Sequence, residues 1–364
     1  MNTSAVYWLA LSMIDNLGPV TARRLLNIFG NPEAIFKASF TDLKSIEGIG
    51  EKRAKAIKSF NRWNEAEEIV KKCKDLNIGL ITQEEDSYPE NLKTIPDPPL
   101  VVFVSGKPIP GDRYAVAIVG SRKYTDYGRR VTEKLSCELS EIGITIVSGL
   151  ARGVDTTAHI GAIKSKGRTI GVFGSGLDKP YPPENRQLIR KVTEHGYVIS
   201  EFPPGMPPNK ENFPKRNRLI SGLSLGVIVV EAGLESGALI TANYALEQGR
   251  EVFAVPGSIF SKNSAGTNNL IKKGARLVSG VDDILEELAP KLKGLITNKS
   301  PQSRALELSE KEKDIIKIIG DESLHIDEIA RKAERPVSEI AAILLNLELK
   351  GLVRQAEGKR FYLL

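Results

Sequence analysis

The chain has 364 residues, of which 41% are hydrophobic and 26% are charged, and its formal net charge is +6. This length corresponds to about two or three domains with room for a buried core, and the composition excludes a disordered chain. Two cysteines, Cys73 and Cys137, exclude a disulfide scaffold and a cysteine-rich zinc site, and they indicate a reducing cytoplasm. We expect no metal, no cofactor and, because long uninterrupted apolar stretches are lacking, no membrane span.

Residues 1–66 are predicted to form a helical domain of the helix–hairpin–helix type. In the segment 43–57, apolar residues recur at helical spacing on both sides of a Gly-Ile-Gly turn, and 16–25 is a weaker copy. The free N–H groups of such a turn can bind a DNA phosphate, although hairpins of this kind also serve as packing or protein-contact units. The predicted phosphate contacts are Gly48, Gly50, Lys52 and Arg53.

Residues 67–290 are predicted to form a doubly wound, Rossmann-like α/β domain. Short apolar runs alternate there with helix-length segments at 126–142, 156–165 and 237–248. Most runs are continuously apolar, which is typical of parallel strands covered on both faces. The predicted strands are 100–104, 115–119, 144–148, 169–173, 197–200, 226–230 and 251–255.

Small residues follow these strands, at the sheet edge where such folds bind ligands. Gly and Ser there allow backbone N–H groups to approach an anion, and Arg122 and Arg152 add positive charge. Glycine-rich turns also exist merely for tight packing, so this pattern alone leaves both interpretations open. Complete dinucleotide and P-loop motifs are absent.

The densest basic and aromatic segment is 209–221, in which four cations surround Phe213. Single-stranded nucleic acid is bound by cations that track the backbone and by aromatic faces on which bases stack. The alternative is that Phe213 packs into the core and the charges form a solvated face.

Ordered motifs in the middle region resemble those of the DNA-processing protein A family (DprA/Smf). They are V-A-I-V-G-S-R (116–122), S-G-L-A-R-G-V-D (148–155), G-S-G-L-D-x-x-Y-P (174–182), N-F-P-x-R-N-R-x-I-S-G (212–222), V-V-E-A-x-x-x-S-G-A-L-I-T-A (229–242) and V-P-G (255–257). The resemblance covers about 67–290. It implies an extended Rossmann fold and a cytoplasmic homodimer that binds single-stranded DNA, protects incoming DNA and loads the RecA recombinase onto it during natural transformation. Proteins of this family are not known as enzymes.

The resemblance, together with the post-strand loops, assigns a set of DNA contacts. The predicted nucleic-acid-binding residues are Gly120, Ser121, Arg122, Ser148, Gly149, Arg152, Lys210, Phe213, Arg216, Asn217, Arg218, Ser236 and Gly237. The implied dimer interface is placed at Leu270 and Ile271, the large apolar residues of a short amphipathic segment at 266–274. Alternatively, these two side chains simply seat their helix on the sheet.

An enzymatic function remains as the alternative, because the core is also similar to nucleoside-monophosphate phosphoribohydrolases. Those enzymes carry P-G-G-x-G-T-x-x-E, whereas the corresponding stretch here, 231–241, lacks the Gly-Gly pair and the terminal acid. This departure argues against glycosidic hydrolysis and favours a protein that is not an enzyme.

A polar linker, 291–304, is predicted to precede a winged-helix domain at 305–364. Helices are expected at 309–319, 326–333 and 337–350, followed by a wing at 352–363, and Ser309 with Glu312 matches a capping box. The domain has a net charge of −2, which is unfavourable for binding phosphate. A protein-contact or regulatory role is therefore favoured over reading duplex DNA; a simple cap on the fold is the alternative.

Overall fold

The computed structural model describes residues 3–298, 309–320, 323–349, 352–356 and 358–363. The chain divides into two compact units, Met1–Leu295 and Ile296–Leu364. None of the described helices combines the length and the apolar character needed to cross a bilayer.

The first unit is an α/β domain with a helical N-terminal part. The helices that begin in it are α1 Thr3–Ser12, α2 Pro19–Phe29, α3 Pro32–Lys37, α4 Phe40–Ser45, α5 Glu51–Lys58, α6 Trp63–Asp75, α7 Glu90–Lys93, α8 Asp126–Glu141, α9 Val154–Lys164, α10 Arg186–His195, α11 Asn212–Gly222, α12 Gly237–Glu247, α13 Ala265–Lys272 and α14 Val281–Asn298. Its strands are β1 Gly79–Thr82, β2 Val101–Gly106, β3 Ala115–Gly120, β4 Thr145–Ser148, β5 Thr169–Val172, β6 Gly196–Ser200, β7 Gly226–Val230, β8 Glu251–Ala254 and β9 Arg276–Leu277.

The strands form one sheet in the order β1-β2-β6-β5-β4-β3-β7-β8-β9. Every neighbouring pair from β6 to β9 is parallel. The parallel strands from β3 to β7 are buried along almost their whole length because helices cover both faces. The chain winds from β3 towards β6 on one side and from β7 towards β9 on the other, so the carboxyl ends of β3 and β7 flank a topological switch point, where such sheets open a crevice.

The predicted Rossmann-like class is confirmed, and all seven predicted strands are present. The sheet differs from the prediction at one edge, because β2 pairs antiparallel with β6 and with β1. The strands β1 and β9 were not predicted; they have four and two residues, which is too short for a clear periodic signal.

The N-terminal helices share one hydrophobic core with the edge of the sheet. Leu25, Leu43 and Ile57 are fully buried in the same cluster as Phe103 of β2. The predicted domain boundary after residue 66 therefore falls inside the continuous helix α6, which packs on both α1 and β1. The helical region is part of the first compact unit rather than a separate body.

The second unit is a winged helix, as predicted. It contains α15 Glu310–Ile319, α16 Ile326–Lys332 and α17 Val337–Leu349, with strands β10 Leu324–His325, β11 Val353–Ala356 and β12 Arg360–Leu363 in a three-stranded antiparallel sheet. The capping box at the start of α15 is present, because the Ser309 Oγ accepts from the Glu312 N–H and the Glu312 carboxylate accepts from the Ser309 N–H at 2.8 Å. The predicted linker at 291–304 begins inside α14, and its residues 299–304 lie outside the described residues.

Candidate nucleic-acid interface

An open cleft of about 810 Å³ lies at the switch point of the sheet. Its walls come from the turns after β3 and β7, the start of α9, the helix α11 and the segment before α13. The residues lining it are Val119, Gly120, Ser121, Arg122, Lys123, Ala151, Asp155, Tyr181, Lys210, Phe213, Pro214, Arg216, Asn217, Ile220, Gly233, Glu235, Ser236, Gly237, Ala238, Ile240, Thr241 and Asn263. We refer to this feature as the cleft.

The floor of the cleft depends on close contact between the ends of β3 and β7. A Cβ added to Gly120 would lie only 1.9 Å from the Val230 carbonyl oxygen, so this position requires glycine. The Ser121 N–H then donates to the Glu231 carbonyl oxygen at 2.7 Å. These contacts place Arg122 at the exposed turn between β3 and α8.

The Glu231 carboxylate is committed to the start of α8. It is 4% exposed and accepts hydrogen bonds from both the N–H and the hydroxyl of Thr125, the residue that precedes the helix. In the stretch compared above with the phosphoribohydrolase motif, this buried acid therefore supports the turn that carries Arg122.

Three exposed cations border the cleft: Arg122, Lys123 and Lys210. Within the described residues, none of their side chains forms an ion pair or hydrogen bond with another protein group. Their charge is thus available to an anion. The acids among the lining residues are Asp155, which is buried, and Glu235 on the rim, so the exposed edge of the cleft is predominantly positive.

Arg216 lies beneath the surface of the cleft and supports its wall. It is 4% exposed, and its Nη1 donates to the carbonyl oxygens of Gly149, at 2.6 Å, and Val172. Burial lowers the pKa of Arg216 to about 10, so it stays protonated at neutral pH. The Asp155 Oδ2 accepts from the N–H groups of Gly149, at 3.1 Å, and Ala151, at 3.3 Å, which fixes the same loop from the other side.

The aromatic wall consists of two rings rather than one. Phe213 is half-buried, and its ring centroid lies 5.6 Å from that of Tyr181 at an interplanar angle of 49°. A Cβ on Gly174 would come within 2.9 Å of Phe213, so glycine there leaves room for the ring. Tyr181 is 41% exposed in the cleft. Tyr181 belongs to the motif at 174–182 but is not among the predicted contacts, and its proximity to Phe213 had no signal in the local pattern.

The structure brings nine of the predicted contacts to the cleft. They are Gly120, Ser121, Arg122, Lys210, Phe213, Arg216, Asn217, Ser236 and Gly237. Ser236 caps α12 by accepting from the Ala238 N–H, and Gly237 is exposed with open space around it.

Four predicted contacts are not among the lining residues. Ser148 and Gly149 are buried, and the Ser148 hydroxyl donates to the Ile118 carbonyl oxygen at 2.6 Å. Arg152 is exposed but paired with Glu184. Arg218 is 7% exposed and paired with Glu201 and Asp97. Its charge is neutralised inside the protein, so Arg218 has no support from the geometry as a DNA contact.

The hairpin residues divide into exposed and bonded groups. Gly48, Gly50 and Lys52 are exposed at the turn between α4 and α5, and no partner of the Lys52 side chain occurs among the described residues. Arg53 instead holds the hairpins together, because it donates to the carbonyl oxygens of Gly48 and, at 3.0 Å, Asn16. Arg53 is therefore a structural group at the site where a phosphate contact was predicted.

Leu270 belongs to the core of the first unit. It is 6% exposed, and the partly buried Ile271 packs against the same cluster. The structural alternative, in which these side chains seat α13 on the sheet, matches the observed packing. Beside them, an apolar groove of about 430 Å³ lies between α12 and α13, with Leu234 and Leu246 exposed on its edge. We call it the α12–α13 groove.

The fold and the cleft define a Rossmann-like protein with a cationic, aromatic crevice, joined to helix–hairpin–helix and winged-helix modules. Within the described residues, no group of three or more His, Cys, Asp or Glu side chains is placed to hold a metal ion. The family described as DNA recombination-mediator protein A matches residues 79–289. A DprA winged-helix domain matches 299–359, and a SAM-like helix-hairpin-helix tandem matches 9–61.

Known relatives agree with this assignment. The protein Smf of Synechocystis sp. is 36% identical over 99% of this chain and 99% of its own length. The structure of DNA processing protein A from Streptococcus pneumoniae is similar with a TM-score of 0.66 and 35% identity, covering 79% of this chain and 98% of that one. A structure of DNA processing protein A from Helicobacter pylori, described for its single-stranded DNA binding mode, has a TM-score of 0.53 and 32% identity over 58% of this chain and 96% of that one. The chain belongs to the DNA-processing protein A (DprA/Smf) family.

Proposed function

We propose that this protein binds single-stranded DNA in the cleft, protects incoming DNA and loads the RecA recombinase onto it during natural transformation and recombination. The observation that carries the proposal is that one crevice combines unpaired cations with an aromatic pair, the half-buried Phe213 and the exposed Tyr181. Support also comes from the Helicobacter pylori relative, which is described as binding single-stranded DNA.

The cleft chemistry favours single strands over duplex. Arg122, Lys123 and Lys210 are free to contact phosphates, while Phe213 and Tyr181 offer faces on which unpaired bases can stack. A duplex conceals the faces of its bases, so it can use the cations but not the rings. We therefore assign phosphate binding to the three cations and base stacking to the two aromatic residues.

The proposed partners are single-stranded DNA, RecA and a second copy of this chain. We place the protein in the cytoplasm, where DNA and the recombinase are found and where its free cysteines Cys73 and Cys137 stay reduced. Its role is binding and delivery rather than catalysis. For the winged helix, we propose a protein-contact role, because residues 305–364 carry a net charge of −2 and two of their cations, Lys311 and Arg335, are already paired with Glu339.

A salt titration separates the proposed roles. The log–log slope of affinity for single strands against salt should flatten by ~0.7 when one phosphate-binding cation is removed, as in Arg122→Ala and Lys210→Ala. Phe213→Ala should weaken binding by ~1–3 kcal/mol with little change in slope. Fluorescence anisotropy with a labelled oligothymidylate at several salt concentrations measures both quantities.

Arg152→Ala is the matched control, since Arg152 is exposed but paired with Glu184 outside the cleft lining. It should leave both the slope and the affinity close to those of the wild type. Equal slopes in all four variants, or duplex bound as tightly as single strands at the same salt, would contradict the proposed function.

A further inference from the structure

A loop at the edge of the cleft presents the most exposed large apolar side chains of the described residues. In the rim loop, which we define as residues 256–264 between β8 and α13, Ile259 is 85% exposed and Phe260 is 93% exposed. Isolated exposed apolar residues are common on protein surfaces, but two adjacent ones at a functional edge point to a binding surface.

The rim loop is held by hydrogen bonds within it and to α13. Gly257 and Asn268 exchange two bonds, with the Gly257 N–H donating at 3.2 Å and the Asn268 amide donating at 3.0 Å. The Ser261 N–H donates to the Ser258 carbonyl oxygen at 3.0 Å, which closes a turn around Ile259 and Phe260. The loop therefore presents its tip from an ordered base.

The rim loop is continuous with the cleft. Asn263 lines the cleft, and its side-chain amide donates to the Lys123 carbonyl oxygen at 2.9 Å. The Lys262 carbonyl oxygen lies 3.6 Å from the position that a Cβ on Gly233, another lining residue, would occupy. The loop therefore borders the cleft beside Lys123. A DNA strand that leaves the cleft past Lys123 would meet this loop.

The rim loop, together with the Lys123 turn that Asn263 bonds to, has the chemistry of a nucleic-acid surface. Lys123 and Lys262 are both exposed, and their side chains have no ion pair among the described residues. An aromatic face flanked by free cations is the combination that binds single strands without sequence preference. We propose that Phe260, with Ile259 beside it, forms a second base-stacking site on the path of a single strand out of the cleft. This proposal rests on the proposed function, because it extends the same DNA path.

The loop is distinct from the α12–α13 groove. No residue of the rim loop lines the groove, which meets α13 at Asn269 and Leu270 and then at Lys273, just after the helix ends. The rim loop enters α13 at its amino end, and a helix of eight residues is about 12 Å long. Loss of Phe260 should thus leave an interface at the groove intact.

The test measures the affinity of the full-length protein for oligothymidylates of increasing length. The Phe260→Ala protein should have the same affinity as the wild type for the shortest strands that fill the cleft. Its affinity for longer strands should be lower than that of the wild type, by on the order of 10-fold. Phe260→Leu, which keeps the apolar bulk but not the ring, should show the same weakening. Phe260→Trp should restore the affinity, and fluorescence of the new tryptophan should be quenched by long strands but not by short ones.

Measuring Phe213→Ala in the same length series distinguishes a failure of the second stacking site from a failure of the proposed function. If Phe213→Ala weakens binding at every length while Phe260→Ala changes nothing, the second site is wrong and the proposed function stands. If neither substitution weakens binding, the proposed function itself fails. A Phe260→Leu protein that binds long strands like the wild type, or a Phe260→Ala protein whose oligomeric mass changes in light scattering, would show that Phe260 is an apolar or protein contact, and this would overturn the proposal.

Discussion

His159 of α9 is a fully buried histidine with one of its two ring nitrogens unsatisfied. The Thr169 hydroxyl uses its hydrogen to donate to the Ile146 carbonyl oxygen at 2.8 Å. The His159 Nδ1, at 2.7 Å from that hydroxyl, must therefore be the donor, which leaves Nε2 as an acceptor without a partner among the described residues. Burial and, secondarily, the charge of Arg216 lower the pKa of His159 to about 3.

This histidine makes the stability of the first unit depend on pH. Between pH 6.5 and about 3, the unfolded chain takes up a proton at His159 and the folded chain does not, so this contribution is complete above pH 6.5 and is lost as the pH falls. From pH 7 to pH 5, we expect a loss of about 2 kcal/mol from this group. Urea unfolding followed by tryptophan fluorescence reports on this unit, because Trp8 lies in one of its hydrophobic cores and Trp63 packs against the same core.

His159→Gln should lower stability overall but remove this dependence on pH. His195→Gln is the control, since His195 is half-exposed and should leave the dependence unchanged. If the stability of the wild type and that of the His159→Gln protein changed equally between pH 7 and pH 5, His159 would take up its proton in the folded state as well.

At the residue scale, the spacing of residues in the motifs predicts which chemical groups the site contains. It predicts less well where those groups lie. Arg216 and Arg218 are two positions apart on α11 and therefore point to nearly opposite sides of the helix. Of these two arginines, only Arg216 lies in the cleft wall. It does so beside Phe213 and Ile220, which are at helical spacing from it. The helical period thus could have excluded Arg218. In contrast, the pairing of Arg218 with Glu201 joins distant segments and could not have been predicted from either one.

At the element scale, the hairpin between α4 and α5 combines a structural and a free cation in adjacent positions. Arg53 donates to two backbone carbonyl groups, whereas Lys52 is exposed without a partner among the described residues. We expect Arg53→Ala to destabilise the first unit by about 1–2 kcal/mol, because two acceptors lose a charged donor. Lys52→Ala should leave stability unchanged within ~0.5 kcal/mol and should weaken DNA binding if the turn contacts phosphate.

Urea unfolding measures the stability of the Arg53→Ala and Lys52→Ala variants, and anisotropy measures their affinity for DNA. Together they test whether Arg53 is structural and Lys52 is free to bind phosphate. Lys55→Ala, an exposed neighbour on α5, is the control for a general reduction of positive charge. Equal stability in Arg53→Ala and Lys52→Ala would mean that the bonds of Arg53 contribute nothing. Equal DNA affinity in Lys52→Ala and the wild type would leave the hairpin as a packing unit.

Elements with strong patterns were predictable, and their long-range pairing was not. The predominantly apolar β3, β7 and β8 lie within one residue of their predicted bounds. The antiparallel direction of β2 has no local signal, because it is set by the way β1 and β6 pair with it. The predicted boundary after residue 66 falls inside α6, and the sequence pattern gave no sign that buried residues of this helix pack with both the helical region and the sheet.

At the scale of the whole molecule, the proposed homodimer needs an exposed apolar surface, and Leu270 does not provide one. A charged residue at position 270 would disrupt the core. If such a variant failed to dimerise, the result would therefore not show whether Leu270 lies in the interface. The α12–α13 groove is a better candidate, since Leu234 is 65% exposed and Leu246 is 60% exposed on its edge. A small apolar patch can form the centre of a two-fold interface because each residue is used twice.

We therefore expect Leu246→Glu to give a folded monomer. Two clefts on one dimer allow a long strand to engage both, which raises the apparent affinity through effective concentration by about 10²-fold or more. Leu246→Glu should lose this gain on long strands and should bind short strands, which reach only one cleft, like the wild type. Ile28→Glu is the matched control, because Ile28 is also the penultimate residue of an eleven-residue helix and is 56% exposed. Light scattering gives the mass, circular dichroism confirms folding and anisotropy gives both affinities. A folded Leu246→Glu protein that remains a dimer would place the interface elsewhere, and a monomer that keeps the full affinity for long strands would show that avidity between two clefts does not contribute.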